Sequence, residues 1–308
     1  APLLLALCRF GQGFGLGGEW GGAVLLATEN APEGKKSWYG MFPQLGAPVG
    51  LFLSSGIFWL LLQVMSQEAL LSWGWRVPFI ASIILIVIGL WVRLSITETP
   101  DFQKAIDSHE RVAVPVAELF ANHKRSLLLG TFVALATFVL FYIGSAYLLS
   151  YNVKVLKIPF LDALEVQILG SIVFGIFIPI VGKLAERFGR REVLILTTVL
   201  IGLFSFFLPG LMTGGEGSIF VFVIFAMALM GMTYGLIGTA LAAPFPTAVR
   251  YTGSSITFNL AGIFGASLAP YIATWLQANY GMTYVGYYLG ISAAVTLVCI
   301  LASGKDEV

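Results

Sequence analysis

Arg9 and Glu19 sit in a run that otherwise suits a hydrocarbon solvent. The segment reads Arg9-Phe10-Gly11-Gln12-Gly13-Phe14-Gly15-Leu16-Gly17-Gly18-Glu19-Trp20-Gly21-Gly22, inside an apolar run at about 2–29. A charged side chain near the centre of a bilayer costs at least about 2.5–3.5 kcal/mol, so it survives by pairing or by facing a water-filled cavity. Ten residues of helix span about 15 Å, which rules out a direct Arg9–Glu19 pair. The chemistry open to such groups is recognition of a charged solute and carriage of a proton. Gln12 lies one turn from Arg9 on the same face and joins that set. Two plainer readings stay open: Arg9 snorkels to the interface, and Glu19 pairs structurally with an Arg or Trp of another helix. Gly11, Gly15, Gly18 and Gly22 form one side-chain-free row, and Gly13, Gly17 and Gly21 a second. Such rows let helix backbones approach closely in lipid, for packing alone or for a site.

The loop Gly182-Lys183-Leu184-Ala185-Glu186-Arg187-Phe188-Gly189-Arg190-Arg191 is a second concentration of charge. A topology signal needs only positive charge. The added glycines and the acid predict an interlocking turn, with Glu186 paired to an arginine and near a neighbouring helix N-terminus. Glu29 and Arg250 fall at helix ends, where an inter-helix clasp competes with simple solvation. His109 and His123 lie outside the apolar runs and read as solvated. Neither His-Glu-x-x-His nor a comparable nucleophile, acid/base or metal set occurs, so no catalytic residue, metal or cofactor is assigned. Cys8 and Cys299 both fall in apolar runs and form no disulfide framework.

The elements that must hold these residues are membrane helices. The 308 residues are 58% hydrophobic and 11% charged, with a mean hydropathy of +0.90. Soluble domains carry about 25% charged residues, so too little charge is left here to face water. Runs of roughly 20 apolar residues can cross a bilayer, and nine occur. They lie at about 2–29, 38–63, 75–95, 126–151, 163–183, 193–212, 218–243, 253–277 and 284–302. Stretches such as Ile80 to Val92 are continuously apolar, which excludes the alternating strands of a β-barrel. Of the 17 Lys and Arg, 13 fall on one side of these spans and 3 (Arg76, Lys154 and Lys157) on the other, with Arg9 within a span. The basic side is therefore predicted to be cytoplasmic, with the first residue outside and the last inside. The chain starts at Ala1 with no signal-peptide n-region and reads as a fragment lacking earlier helices.

The longest polar stretch, about 96–125, divides three spans from six. The expected organisation is part of one bundle at 1–95, a cytoplasmic linker at 96–125 and a six-helix bundle at 126–308. A weak repeat crosses that linker. Pro32 and Lys36 match Pro246 and Arg250 at one offset, and with one residue inserted Gln44 matches Asn259 and Gly50 matches Gly265. Internal repeats of this kind mark secondary transporters with a site at the midplane. A net charge of +1 argues against a nucleic-acid partner.

At these residues the chain resembles the major facilitator superfamily. The loop from Gly182 to Arg191 is similar to the family's cytoplasmic signature, with Glu186 where the family usually has Asp. The stretch Arg9 to Gly22, with Ala31-Pro32 after it, resembles the fourth helix of the metabolite:proton symporter family. Gly74-Trp75-Arg76-Val77-Pro78-Phe79 and Pro246-Thr247-Ala248-Val249-Arg250-Tyr251-Thr252-Gly253 are similar to the start of its sixth helix and its tenth-to-eleventh loop. The resemblance implies an all-α polytopic bundle, helices four to twelve of twelve, resident in a bacterial inner membrane as a monomer. It implies a small-molecule substrate, an organic acid or zwitterion, carried with protons by alternating access. Gln44, Tyr142, Tyr234 and Asn259 would line the central cavity, although buried Tyr and amide groups also serve simply to satisfy backbone. Arg9 would bind an anionic group or bias the proton site, with Gln12 beside it, and Glu19 would be the first group protonated. Glu29, Gly182, Glu186, Arg187, Gly189, Arg190, Arg191 and Arg250 would form the cytoplasmic gate. Competing readings are a proton-driven exporter on the same fold, a non-transporting sensor or channel, and a membrane-embedded enzyme.

Overall fold

The computed structural model describes residues 2–95 and 115–304. Most of the expected linker, including Asp101, Lys104, Asp107, His109, Glu110 and Arg111, lies outside the described residues. Within them the chain is helical. The helices are α1 (Pro2–Glu29), α2 (Lys36–Gly40), α3 (Gly46–Val64), α4 (Gln67–Ser72), α5 (Val77–Ser95), α6 (Pro115–Asn122), α7 (Lys124–Val133), α8 (Leu135–Tyr142), α9 (Leu148–Lys154), α10 (Phe160–Phe188), α11 (Arg190–Thr213), α12 (Glu216–Ala242), α13 (Thr247–Ala261), α14 (Ala269–Tyr280) and α15 (Met282–Ala302). Short 3₁₀ turns join α2 to α3 at Pro43–Leu45 and precede α5 at Gly74–Arg76. π-turns join α8 to α9 at Ile143–Tyr147 and α13 to α14 at Gly262–Ser267.

Eight segments of the described residues are long and apolar enough to cross a membrane, at 36–64, 74–92, 124–154, 160–188, 190–213, 216–242, 247–280 and 282–302. They correspond to eight of the nine expected runs. The ninth, α1, has the length at 28 residues but is not among the eight. Its glycines together with Arg9, Gln12 and Glu19 dilute its apolarity. Much of its first half is exposed, as is α5, and the exposed side chains are large and apolar: Phe10 and Phe14 on α1, Ile84 and Trp91 on α5. Lipid is the solvent that tolerates such surfaces.

The core is carried by α10, α11, α12 and α15, where Phe174, Ile178, Ile201, Phe222, Met227 and Leu289 are buried together. α10 and α12 meet over bare backbone. A Cβ built on Gly231 would lie 2.7 Å from the Phe174 carbonyl oxygen, and one on Gly235 would lie 2.6 Å from Val181 Cγ1. The i, i+4 spacing of these glycines is the small-residue arrangement that brings membrane helices into contact. At the break between α7 and α8 the backbone is completed from another helix. Thr296 Oγ1 on α15 donates to the Phe132 carbonyl at 2.7 Å and accepts from the Ala136 N–H at 3.0 Å. With little water in the bilayer core, such substitution keeps an interrupted helix tolerable.

α3 lies along α10, and the second half of α1 lies along α13. These two contacts, with α2 and the turn after it against α10 and α12, join residues 1–95 to residues 126–308.

Candidate functional site

The glycines of α1 do not all serve close approach. A Cβ on Gly11, Gly13 or Gly15 would meet nothing within 4 Å, whereas one on Gly17 would lie 3.2 Å from Asn259 Oδ1 and one on Gly22 would lie 3.2 Å from Tyr251 Cε2. At Gly21 a side chain would overlap Ser255 Oγ. The inner part of α1 is therefore the part pressed against α13. Asn259 marks the seam: its Nδ2 donates to the Gly17 carbonyl at 3.3 Å and to its own helix at Ser255 at 2.8 Å.

Trp20, three residues on from Gly17, organises the seam. Its ring stacks on Phe258 of α13 with centroids 3.7 Å apart, and its Nε1 donates to Gln44 Oε1 at 3.4 Å. Gln44 is fully buried in the 3₁₀ turn after α2, and among the described residues its Nε2 has no hydrogen-bond partner. The amide rests against Gly238 of α12, where a Cβ would come within 2.5 Å of Nε2. Phe258 meets Phe138 edge-on at 5.1 Å, and Trp20, Phe258 and Tyr142 all pack on one buried cluster. From Tyr142 a row of rings runs through Phe141 and Phe174 to Tyr234, at centroid spacings of 5.2, 5.8 and 5.6 Å. Four expected cavity residues, Gln44, Asn259, Tyr142 and Tyr234, thus gather around Trp20 and its aromatic neighbours. Trp20 itself was expected only as part of a glycine-rich stretch. Arg9 and Gln12 stand apart on the exposed half of α1, where Arg9 Nη1 donates to Gln12 Oε1 at 2.9 Å. Glu19 is exposed beside Trp20.

Among the described residues, Lys183, Arg190, Arg191 and Arg250 of the expected basic side converge at one end of the bundle. Arg250 Nη1 lies 3.4 Å from Glu29 Oε1, an ion pair between α13 and the last residue of α1, and Arg250 Nε donates to the Phe245 carbonyl at 3.1 Å. The expected clasp is present. The Trp38 N–H, in the first turn of α2, donates to Glu186 Oε1 at 3.3 Å, so Glu186 does meet a neighbouring helix N-terminus. The expected arginine partner is not there. Among the described residues Glu186 makes no ion pair, because the arginines of its loop are turned elsewhere. Arg187 lies over the ring of Phe188 at 5.2 Å. Arg190 Nη1 donates to the Thr239 carbonyl at 3.3 Å, and Arg191 Nη2 to the Ile300 and Leu301 carbonyls at 3.3 and 3.2 Å. Arg125 adds a hydrogen bond to the Ala302 carbonyl. Thr239 closes α12 and the other three close α15, so these cations sit on the negative ends of helix dipoles.

Two glycines shape this turn. Gly189 joins α10 to α11 at φ +94°, a conformation that disfavours side chains. Gly182 lets α10 approach α2: a Cβ there would lie 3.3 Å from Met41 Cγ and 3.4 Å from Trp38 Cε3. Lys183 Nζ sits over the Trp38 ring at 5.3 Å. Trp38 is therefore the counterpart of the signature loop, and nothing in its own sequence surroundings singled it out.

A second polar seam between α3 and α10 also escaped sequence reasoning. Ser55 Oγ donates to Gln167 Oε1 at 3.0 Å, and Gln167 Nε2 donates to the Ser145 carbonyl inside the π-turn at 3.1 Å. Further toward the end opposite the basic residues, Trp59 Nε1 donates to Glu165 Oε1 at 3.0 Å. Glu165 lies in the second turn of α10. α3 and the α2 turn before it are consequently tied to α10 near both ends, each time by a tryptophan N–H and a glutamate.

Comparison with known proteins places this arrangement. The family described as Major Facilitator Superfamily matches residues 1–263 and, overlapping, 162–307. The Inner membrane metabolite transport protein YhjE of Escherichia coli (strain K12) is 49% identical over 313 residues, covering 100% of this chain and 71% of that protein. The chain belongs to the Major Facilitator Superfamily. Membership of this transporter superfamily sets it apart from enzymes and makes it a multi-pass membrane protein. The Shikimate transporter of the same organism is 36% identical, over 90% of this chain and 64% of its own length. A Proline/betaine transporter of Salmonella typhimurium is 32% identical, over 97% of this chain and 62% of that protein. Among solved structures, the proton:xylose symporter XylE superimposes with a TM-score of 0.67 at 17% identity, over 91% of this chain and 66% of that one. At that identity the superposition speaks for the fold, an all-α major facilitator bundle.

Proposed function

We propose that this chain is the larger part of a secondary active transporter of the bacterial inner membrane. It moves a small polar metabolite, an organic acid or zwitterion, together with protons by alternating access. Residues 1–95 and 126–308 are the two moving bodies, and 96–125 links them. The observation that carries the reading is the chemistry of the contacts between them at the basic end. Glu29 to Arg250, the Trp38 N–H to Glu186 and Lys183 over Trp38 are all polar or charge-based. Contacts of this kind contribute on the order of 1 kcal/mol each. They hold a closed face beside the buried Met41, and each can be exchanged for contacts with water when the face opens.

Solute would be met at the α1–α13 seam, where Trp20, Gln44, Tyr142, Tyr234 and Asn259 gather. Arg9 and Gln12 supply donors further along α1, and Glu19 carries the proton. The names of the relatives support the substrate class: YhjE is a metabolite transport protein, and others carry shikimate or proline and betaine. The similar fold of XylE, a proton:xylose symporter, supports the coupling. The test is uptake of a panel of labelled organic acids and zwitterions by the full-length protein in vesicles, with and without an imposed proton gradient. Accumulation of one member that collapses with the gradient is expected. Uptake of every member at the rate of empty vesicles refutes the metabolite reading, and uptake indifferent to the gradient refutes the coupling.

A further inference from the structure

Beside the Glu29–Arg250 pair the basic end holds a cavity of about 290 Å³, lined by Thr28, Glu29, Lys36, Arg190, Thr239 and Arg250 with two alanines of the α12 terminus. Three cations face one carboxylate there. Arg190 is partly buried. Its Nη1 reaches the Thr239 carbonyl, and among the described residues its buried Nε has no hydrogen-bond partner. A guanidinium has five N–H donors and stays charged, so one carbonyl leaves Arg190 with charge and donors to offer an anion in the cavity. Arg250 already spends donors on Phe245 and Glu29, and Lys36 brings a further exposed ammonium from α2.

We propose that this cavity binds an oxyanion of the phosphate class between Lys36, Arg190 and Arg250. The charge favours phosphate over a monocarboxylate, because a doubly charged anion balances the excess of cations over Glu29. The size agrees: pockets for drug-sized ligands span about 300–1,000 Å³, so this one suits a small anion with some of its waters. The guanidinium fork matches the geometry of phosphoryl oxygens. Bound there, the anion bridges α2 to α11 and α13 at the face closed by the Glu29–Arg250 clasp. The same phosphoryl chemistry is available from inorganic phosphate and from the headgroup of an anionic lipid. The site does not depend on which solute is carried, and binding rather than transport is what tests it.

The full-length protein, purified in detergent, is melted in rising inorganic phosphate against chloride at matched ionic strength. A parallel series uses nanodiscs of neutral lipid with and without phosphatidylglycerol. A saturable rise in melting temperature with phosphate is expected. Its midpoint should move about tenfold or more to higher concentration in Lys36→Ala, as expected for loss of one charge-assisted contact. Arg190→Gln should abolish the rise; should that variant not fold, the exposed Lys36 carries the test alone. A rise produced by phosphatidylglycerol and lost in Lys36→Ala supports the site and identifies the headgroup as its source. If neither phosphate nor the anionic lipid stabilises beyond the chloride control, or if Lys36→Ala responds as the parent does, the proposal is overturned.

Discussion

Replacing Gly182 tests whether the basic end works as a gate. A Cβ at this position would lie 3.3 Å from Met41 Cγ and 3.4 Å from Trp38 Cε3, tight but within the give of a methionine side chain. Gly182→Ala also gains roughly 0.8–1 kcal/mol of helix propensity inside α10, which offsets the crowding, so this variant should behave much like the parent. Gly182→Val adds two methyl groups beyond the alanine Cβ, where Met41 is buried and Trp38 is pinned by Glu186. Overpacking of this kind costs about 1–3 kcal/mol. The cost falls on the closed arrangement alone, since the side chain faces open space once α2 leaves α10. The closed-to-open ratio should therefore drop about 5- to 150-fold. Thr239→Cys, in a background with Cys8 and Cys299 replaced by Ser, reports the change. Thr239 is 4% exposed in this structure, so its labelling by a membrane-impermeant maleimide in inside-out vesicles should accelerate in Gly182→Val and not in Gly182→Ala. Equal labelling rates in the two variants, with both properly inserted, would refute the idea that this contact gates the face.

Glu186→Gln keeps an acceptor for the Trp38 N–H but removes its charge, so turnover should fall while insertion and solute affinity hold; normal turnover leaves the loop a topology signal. A double-mutant cycle on Glu29→Ala and Arg250→Ala should give a coupling of about 1 kcal/mol in thermal unfolding, and additivity within error means the ion pair contributes nothing. Arg9→Lys keeps the charge and loses the planar fork; uptake should drop about tenfold or more with the protein still inserted and monodisperse, whereas unimpaired uptake removes Arg9 from the site. Thr296→Val, close in shape, strands the Ala136 N–H and Phe132 carbonyl and should cost about 1–3 kcal/mol in stability; an unchanged melting temperature would show that the break is satisfied some other way.

The helical frame was readable because lipid imposes a simple rule. A span must be long, apolar and internally hydrogen-bonded, and eight of the nine expected runs meet it by length and composition. α1 departs from the rule where its polar residues concentrate, so its low apolarity and its interest have one cause. The Glu29–Arg250 clasp was legible because Glu29 ends one helix and Arg250 lies in the first turn of another, beside matching Pro32 and Pro246. What stayed hidden depends on partners distant in sequence. Trp38 looks like an interfacial tryptophan until α10 is laid against it, and Gln167 looks like one polar residue in a long helix until Ser55 and Ser145 flank it. The glycine stripe shows the limit from the other direction. Seven glycines repeat at helical spacing, yet Gly17, Gly21 and Gly22 meet α13 while Gly11, Gly13 and Gly15 meet nothing, a difference set by where α13 runs. The arginines after Gly189 were rightly marked as a unit but paired with the wrong acceptor, since helix-terminal carbonyls leave no trace in side-chain chemistry.

The π-turns at Ile143–Tyr147 and Gly262–Ser267 have a consequence for phase. A π-turn holds one residue more than an α-turn, so whatever follows it is rotated by about 100° about the helix axis. Tyr142, before the first of them, joins the aromatic row, whereas Tyr147 and Tyr151, within and after it, stack on each other at 5.8 Å. A helical wheel drawn straight through 124–154 or 247–280 therefore assigns the residues beyond the π-turn to the wrong face. Deleting one residue from 143–147 would do in the molecule what that wheel does on paper. Leu148–Lys154 would turn a new side toward α10, and the Ser145 carbonyl that accepts from Gln167 Nε2 would be carried round with its turn.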